Sequence, residues 1–180
     1  EDEMIFQAES QPAESNSELA GQVEGIFGPG GLLSHAKNFE HRLPQQGMAV
    51  AVIGALEAGQ NLVAEAGTGV GKSLAYLIPA ILYGQAHAKK AIIATHTINL
   101  QEQLAEKDLP MLQRILPIDF SFTMLKGRAN YLCTRRLRRA LVRAGGLFTS
   151  PEVGELKRVN EWSRTTEDGS LSDFDVEPDA

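Results

Sequence analysis

The order of apolar and polar positions along the chain predicts short strands that alternate with helices. Three short apolar runs, over residues 61–66, 91–94 and 120–125, have the length of buried strands. Helical patterns cover residues 45–59, 73–83, 95–107, 129–143 and 152–163. Strands and helices in this order favour an α/β fold, in which helices flank a mainly parallel sheet.

Particular residues predict finer features of these helices. The buried face of the helix over residues 45–59 is expected to consist of Met48, Ala51, Val52 and Leu56. Pro79 lies inside the next helix and lacks a backbone N–H, so we expect a kink or an early end there. Asn99 and Glu102 have the spacing of a capping box at the start of the helix after that.

Length and cysteine count narrow the class of protein. The chain has 180 residues, enough for one domain of ordinary size. It contains no run of roughly 18 apolar residues, which a membrane helix requires, and no signal-peptide pattern in its first thirty residues or so. We therefore expect a soluble, intracellular protein with no membrane partner. Its single cysteine excludes a disulfide framework and zinc sites built from paired cysteines.

Charge is distributed unevenly along the chain. The formal net charge is −6, but residues 29–165 hold all 17 basic residues and only 10 of the 23 acidic ones. Residues 126–143 contain seven bases and no acid. Most of the acidic, polar stretch over residues 1–28 is typical of a linker. The basic body is compatible with a nucleic-acid partner or with an ordinary solvated helix face.

A glycine-rich loop carries the clearest chemical signal. It consists of Ala66, Gly67, Thr68, Gly69, Val70, Gly71, Lys72 and Ser73, between a predicted strand and a predicted helix. Glycines let the backbone N–H groups of such a loop turn towards polyphosphate oxygens, and the helix start adds its positive end. Lys72 would reach the outer phosphates and the Ser73 hydroxyl would bind Mg²⁺. The alternative is a structural strand-to-helix turn with an incidental lysine.

The string EAGTGVGKSLAYLIPA around this loop resembles the first motif of superfamily 2 helicases, and most closely that of the DinG and XPD group of iron–sulfur DNA helicases. The resemblance implies a RecA-like P-loop NTPase fold that binds ATP and Mg²⁺. Upstream, FEHRLPQQGMA resembles the group's adenine-side motif, with Arg42 and Gln45 at the matching positions. A glutamine amide can pair with the donor and acceptor edge of adenine. Taken alone, Gln45 is also an ordinary helix-start residue.

Two downstream segments resemble the same group. ATHTINLQEQL is similar to the motif that contacts the backbone of single-stranded DNA, which implies this role for Thr95, Thr97 and Gln101. Thr97 also suits a structural role at the helix start. LKGRANYLC resembles the stretch that leads into the iron–sulfur domain. It implies DNA contacts for Lys126 and Arg128 and a cluster ligand at Cys133, which without the resemblance would be a small buried hydrophobe.

The resemblance covers residues 21–180 and divides them into two parts. Residues 1–20 are expected to be an acidic linker, 21–125 the first part of a motor domain, and 126–180 the start of a helical iron–sulfur insertion. A 4Fe–4S cluster needs four thiolates, so three further cysteines would lie beyond this chain. No Asp-Glu-x-His segment for Mg²⁺ and no second motor domain is present, so we expect a piece of a longer protein with poor hydrolysis by itself.

The implied activity is ATP-driven translocation on single-stranded DNA and unwinding of forked DNA, in repair or replication, in the bacterial cytoplasm near the nucleoid. The oligomeric state does not follow from the resemblance. Two alternatives stay open on the residues alone. One is another P-loop NTPase, such as an AAA-type or transporter ATPase. The other is a nucleic-acid-binding module that uses residues 126–143 and has a vestigial phosphate loop.

Overall fold

The computed structural model describes residues 17–36, 39–147 and 150–174. They belong to two compact units, Glu1–Met124 and Leu125–Ala180. The predicted acidic linker falls largely on residues 1–16, outside the described ranges. Among the helices of those ranges, none combines the length and apolar character that a membrane span requires.

The first unit is built from helices that pack around one core. These are α1 (Glu18–Phe27), α2 (Leu43–Ala58), α3 (Lys72–His87), α4 (Ile98–Gln103) and α5 (Leu109–Ile115), with a short 3-10 helix at Leu32–His35. Helix α2 packs against both α1 and α3. The largest fully buried side chains of this core are Phe27, Leu33, Ile53, Ile78 and Leu112.

Helix α1 begins at Glu18, inside the stretch over residues 1–28 of which most was expected to be a linker. Ser17 is its N-cap, and the Ser17 hydroxyl accepts a hydrogen bond from the Ala20 N–H across 3.0 Å. Val23 and Phe27 lie one turn apart and are fully buried. An apolar stripe at helical spacing therefore outweighs the acidic composition, because the acids of α1 lie on its other face.

Helix α2 confirms the helix predicted over residues 45–59 and ends at Gly59, whose φ of 63° is left-handed. Its buried residues are Gln45, Met48, Ala49 and Ile53. The predicted face was therefore right at Met48 only, since Ala51, Val52 and Leu56 are half-buried. A helix that is apolar nearly all round has its most buried face chosen by its neighbours, here α1 and α3.

Two prolines affect the helices differently. Helix α3 continues through the buried Pro79 to His87, so the early end considered there was wrong. Before Pro110, in contrast, the helical run over residues 98–115 changes its hydrogen bonding: Leu104–Asp108 is a π-helical segment between α4 and α5. A proline ring crowds the carbonyl four residues earlier, here that of Glu106, which lies within the π segment.

The start of α4 differs from the predicted capping box. Thr97 is the N-cap, and its hydroxyl accepts a hydrogen bond from the Leu100 N–H across 3.3 Å. Asn99 and Glu102 lie inside the helix, so the capping box proposed on them was wrong. The structural role considered for Thr97 is confirmed.

The predicted parallel sheet is not confirmed. Residues 61–66, 91–94 and 120–125 run outside the helices, and the described part of the chain contains no β-strand. Several of their apolar side chains are open to solvent, with Val63 93% and Ile92 92% exposed, whereas Ala64, Ala66 and Phe120 pack against the core. A strand requires a hydrogen-bonded neighbour, and these segments do not pair with one another in the structure.

The second unit contains α6 (Thr134–Leu147) and α7 (Ser150–Trp162), which contact each other. These helices confirm the two predicted near residues 129–143 and 152–163, except that Arg128–Asn130 forms a separate 3-10 turn. The ends of the unit are tied together, because the Leu132 N–H donates to the Gly169 carbonyl across 2.8 Å. Trp162 and Phe174 also pack edge to face with ring centroids 5.3 Å apart.

Candidate nucleotide-binding site

The glycine-rich loop of the first unit has a backbone shape that only glycine adopts easily. Gly69 and Gly71 have φ angles of 83° and 85°, in the left-handed region. Gly71 is the N-cap of α3 and provides no side chain to cap the helix. The first N–H groups of α3 therefore lack the side-chain acceptor that Ser17 provides in α1, and they suit an anionic ligand.

Lys72 is the first residue of α3, and its side chain lies back across the loop. The Lys72 ammonium donates to the Ala66 carbonyl across 2.7 Å. This contact joins the first residue of the loop, Ala66, to the first residue of α3. The lysine is exposed, so its charge is available to an anion bound there.

Arg42 and Gln45 hold the loop from the start of α2. The Arg42 guanidinium donates to the Gly69 carbonyl and also pairs with Glu40 across 3.1 Å. The Gln45 amide donates to the Gly71 carbonyl across 2.8 Å, and its side chain is 3% exposed. The structure thus brings the two predicted adenine-side residues to the phosphate loop itself. Their contact with a base stays a prediction.

Tyr76 lies one turn beyond Ser73 on the same face of α3, and sequence reasoning did not single it out. Burial raises the pKa of Tyr76, the Ser73 hydrogen bond opposes that rise, and the nearby Asp108 carboxylate adds to it. Asp108 is 8% exposed, which is unusual for a carboxylate.

The three predicted DNA-backbone residues lie at the start of α4. Thr95 Oγ1 donates to the Thr97 carbonyl across 3.2 Å, which shapes the turn into the helix. Thr97 is exposed, while Thr95 and Gln101 are half-buried. The Thr97 hydroxyl already accepts the capping bond but keeps its proton to donate, so capping and a phosphate contact are compatible.

In the second unit the two predicted DNA contacts differ in accessibility. Arg128 is exposed at the 3-10 turn. Lys126, however, is 5% exposed, and its ammonium donates to Ser170 Oγ across 2.8 Å and to Ser172 Oγ across 2.6 Å. Lys126 thus ties the two ends of the unit together. Its contact with DNA stays a prediction, and it requires release of this cluster.

Cys133 is exposed and forms no disulfide, and it lies directly before α6. The alternative of a small buried hydrophobe is therefore wrong. The backbone N–H of Arg136 lowers the pKa of this thiol, burial opposes that change, and the backbone N–H of Arg135 and the charges of both arginines lower the pKa further. A thiolate is the form that ligates iron, so the environment suits a ligand. One cysteine does not hold a 4Fe–4S cluster, and the described residues contain no group of three or more His, Cys, Asp or Glu placed to hold a metal.

The loop itself fits a magnesium polyphosphate. The fit rests on the uncapped start of α3, on the free charge of Lys72 and on a hydroxyl at Ser73 in the first turn. Mg²⁺ keeps several waters and binds through phosphate oxygens plus one or two protein oxygens, so it does not need a protein cage. The described residues are consistent with that mode of binding.

Comparison with known proteins agrees with a nucleotide-binding role for this loop. A family model described as DEAD/DEAH box helicase matches residues 44–144, more than half of the chain. The chain is 41% identical over 153 residues to a protein of Haemophilus influenzae named ATP-dependent DNA helicase YoaA. It is 44% identical over 147 residues to the Escherichia coli protein of that name.

A third relative is the ATP-dependent helicase DinG of Mycobacterium tuberculosis, at 39% identity over 149 residues. These alignments cover 84%, 81% and 74% of this chain, respectively. They cover only 22–23% of the relatives, so the chain spans less than a quarter of their length.

Proposed function

Because the chain belongs to the DEAD/DEAH box helicase family, we propose that it forms the nucleotide-binding part of an ATP-dependent DNA helicase. The observation that carries the proposal is the uncapped, left-handed glycine loop at the start of α3, with Lys72 lying across it. The relatives' names support both the nucleotide and the DNA. Within its whole protein, the chain would act in repair or replication, in the bacterial cytoplasm close to the nucleoid.

ATP would bind with its phosphates in the glycine loop. The N–H groups of the first turn of α3 would donate to phosphate oxygens, and Lys72 would leave the Ala66 carbonyl to reach them. The Ser73 hydroxyl would ligate Mg²⁺, which neutralises charge on the outer phosphates. Arg42 and Gln45 would hold the loop through the carbonyls of Gly69 and Gly71. The adenine would lie next to these two side chains.

The exposed apolar segments support a sheet that is completed by further chain. Residues 61–66, 91–94 and 120–125 would pair as parallel strands of a RecA-like motor domain once neighbouring strands are present. Their present exposure is costly, since each Å² of apolar surface removed from water contributes about 25 cal/mol. The segment before α6 would then lead into the iron–sulfur insertion, with Cys133 as its first ligand.

DNA would contact both units through groups that bind phosphates. Thr95, Thr97 and Gln101 would donate to one strand without reading its sequence. Five arginines of α6 and Arg128 are exposed, and no acid lies between residues 126 and 143. The α6 arginines are Arg135, Arg136, Arg138, Arg139 and Arg143. Each phosphate they neutralise would make binding more sensitive to salt.

The nucleotide role is tested on the full-length protein by replacing Lys72 with alanine. We expect Lys72→Ala to weaken binding of a fluorescent ATP analogue and to abolish DNA-stimulated ATP hydrolysis. Lys90→Ala is the matched control, because Lys90 is an exposed lysine beyond the other end of α3. If Lys72→Ala keeps wild-type binding and hydrolysis, this loop is not the nucleotide site; if neither the wild type nor the variant binds nucleotide, the loop is vestigial and a nucleic-acid-binding module is favoured.

The DNA role is tested at Thr97 with two substitutions that keep the helix cap. Aspartate and serine both cap helices well. Aspartate adds a negative charge where a phosphate would lie, whereas serine keeps the hydroxyl. We expect Thr97→Asp to weaken binding of single-stranded DNA at least tenfold, roughly the effect of 1.4 kcal/mol, and Thr97→Ser to bind like the wild type. Equal binding by both variants, together with ATP hydrolysis that no DNA stimulates, would favour another class of P-loop NTPase.

A further inference from the structure

The second unit holds the side chain of Lys126 in a contact within the unit. The Lys126 ammonium donates to Ser170 Oγ across 2.8 Å and to Ser172 Oγ across 2.6 Å, and the two hydroxyls lie 2.9 Å apart. Lys126 and Ser170 are buried, whereas Ser172 is exposed. We call these three residues the Lys126 cluster. The cluster withholds from solvent one of the seven basic residues over 126–143.

Backbone contacts around the cluster close a ring. The Lys126 N–H donates to the Tyr131 hydroxyl across 2.9 Å, and Tyr131 forms an antiparallel bridge with Ser170. Beside that bridge, the Leu132 N–H donates to the Gly169 carbonyl. The side-chain bond from Lys126 to Ser170 completes the ring. Release of the ammonium would therefore open one side of this ring without itself breaking a backbone hydrogen bond.

A DNA phosphate would compete with the two serines for this ammonium. The serine oxygens are neutral, whereas a phosphate oxygen is negatively charged and adds Coulomb attraction to the hydrogen bond. The flexible four-carbon stem of a lysine lets its ammonium turn from one acceptor to another. Arg128, two residues along the chain, is exposed and would bring the same strand close. The exchange of serine for phosphate is therefore favoured once DNA is near.

The segment that carries the two serines would be repelled by the same strand. Glu167, Asp168 and Asp173 flank the serines and are exposed. Residues 126–143, in contrast, contain no acid. A strand that is attracted to the basic residues therefore approaches three carboxylates, and movement of the serines away from Lys126 relieves that repulsion.

We propose that DNA displaces the Lys126 cluster: a phosphate replaces Ser170 and Ser172 on the Lys126 ammonium when a single strand binds the second unit. This inference rests on the DNA role proposed above and adds a regulation of it. In the free protein the serines withhold Lys126, so the cost of breaking their bonds lowers the net affinity for DNA. Residues 170–172 thus act as an internal competitor of the strand.

The competition is measured as the affinity of the full-length protein for a fluorescent oligothymidylate. Ser172→Ala removes one competing hydroxyl at an exposed position, where the fold tolerates the change. We expect it to tighten binding by about 2- to 13-fold, the equivalent of one hydrogen bond of about 0.5–1.5 kcal/mol. In Lys126→Met the ammonium is absent, so adding Ser172→Ala there should leave the affinity unchanged. Ser163→Ala is the matched control, because its hydroxyl bonds to the Asn160 carbonyl in the same unit.

The salt dependence of the same binding separates a phosphate contact from other causes. One phosphate contact on a single strand contributes about 0.7 to the slope of log affinity against log salt. We expect the slope of Lys126→Met to be shallower by about 0.7. The slope of Ser172→Ala should equal that of the wild type, because Lys126 contacts the phosphate in both complexes.

Three results would overturn this inference alone. They are unchanged affinity in Ser172→Ala, equal tightening by Ser172→Ala with and without Lys126, and an unchanged slope in Lys126→Met. A wild-type protein that binds no oligothymidylate would instead overturn the proposed DNA role itself.

Discussion

The side-chain amide of Gln45, in the first turn of α2, donates a hydrogen bond to the carbonyl of Gly71, the residue that begins α3. The two residues are 26 positions apart in the sequence, and their bond joins α2 to the point where the loop ends and α3 begins. Gln45 is 3% exposed, so the donor side of this part-buried bond is withdrawn from water. Gln45 thus sets the shape of the phosphate loop before any ligand binds.

Gln45→Ala should destabilise the first unit and loosen the loop. The substitution removes one of two hydrogen bonds to the Gly71 carbonyl, which still accepts from the Ala75 N–H, and loss of one such bond costs about 0.5–1.5 kcal/mol. We expect this loss in urea unfolding of the 180-residue chain, together with weaker nucleotide binding by the full-length protein. Gln46→Ala, next to it, removes a half-buried amide that contacts His41 instead, and it should leave nucleotide binding unchanged. Equal nucleotide affinity in the two variants would contradict the role given to Gln45.

Gly71→Ala should be more damaging than Gly67→Ala. A Cβ at Gly71 would overlap the Gln45 amide, and the φ of 85° is strained for alanine. Such strain costs about 1–3 kcal/mol before the clash is counted. Gly67 has open space where its Cβ would lie and no positive φ, so its alanine variant should unfold at the wild-type urea concentration. Thermal or urea unfolding of both variants measures the difference, and equal midpoints would show that the loop is not built as described.

The thiol of Cys133 should ionise at lower pH in the folded chain than in the unfolded chain. The backbone N–H groups of Arg136 and Arg135 stabilise the thiolate, which lowers its pKa. Cys133 is the single cysteine of the 180-residue chain, so its alkylation by iodoacetamide reports on this group alone. We expect the midpoint of the rate-against-pH curve to lie lower in buffer than in urea.

Arginine variants separate the two causes of this shift. Arg136→Ala keeps its backbone N–H and removes only the side-chain charge, so the midpoint should move only part of the way back. A complete return to the unfolded midpoint would assign the effect to the guanidinium charges instead.

Lys126→Met should loosen the second unit at its ends. The substitution removes the ammonium that holds Ser170 and Ser172, and Ser170 is 1% exposed, so its hydroxyl loses a partner in a dry site. A cost of about 1–3 kcal/mol is expected. Faster hydrogen exchange at the Leu132 N–H, which bonds to the Gly169 carbonyl, measures the opening. Lys157→Met on the exposed side of α7 is the control, and identical exchange in both variants would refute the structural role of Lys126.

The helices were predictable from sequence where their pattern was long, and their contacts were not. The apolar run over residues 45–59 was sufficient to predict α2, but its deepest face depends on where α1 and α3 pack. The acidic composition of residues 1–28 concealed α1. The sequence nevertheless contains a suitable N-cap residue, Ser17, and apolar residues at helical spacing up to Phe27. The sheet was predicted from apolar runs that remain unpaired here, because pairing is a non-local property.

The candidate site shows the same division. The glycine pattern was sufficient to predict the loop and Lys72, since the chemistry is local. The contacts of Arg42 and Gln45 with that loop join residues more than 25 positions apart and needed the structure. So did the burial of Asp108, the last residue of the π segment before Pro110.

The first turn of α3 has no side-chain cap, so a ligand bound there would contribute to the stability of the fold. The side chains of Ser17 and Thr97 cap the N-terminal ends of α1 and α4, whereas the N-cap of α3 is a glycine and has no side chain to do so. A bound polyphosphate would act there as a removable helix cap. Any ligand that binds only the folded chain adds RT ln(1 + [L]/Kd) to its stability. The nucleotide of the proposed motor would therefore also stabilise the first turn of α3. This stabilisation would be gained each time nucleotide binds and lost each time it dissociates.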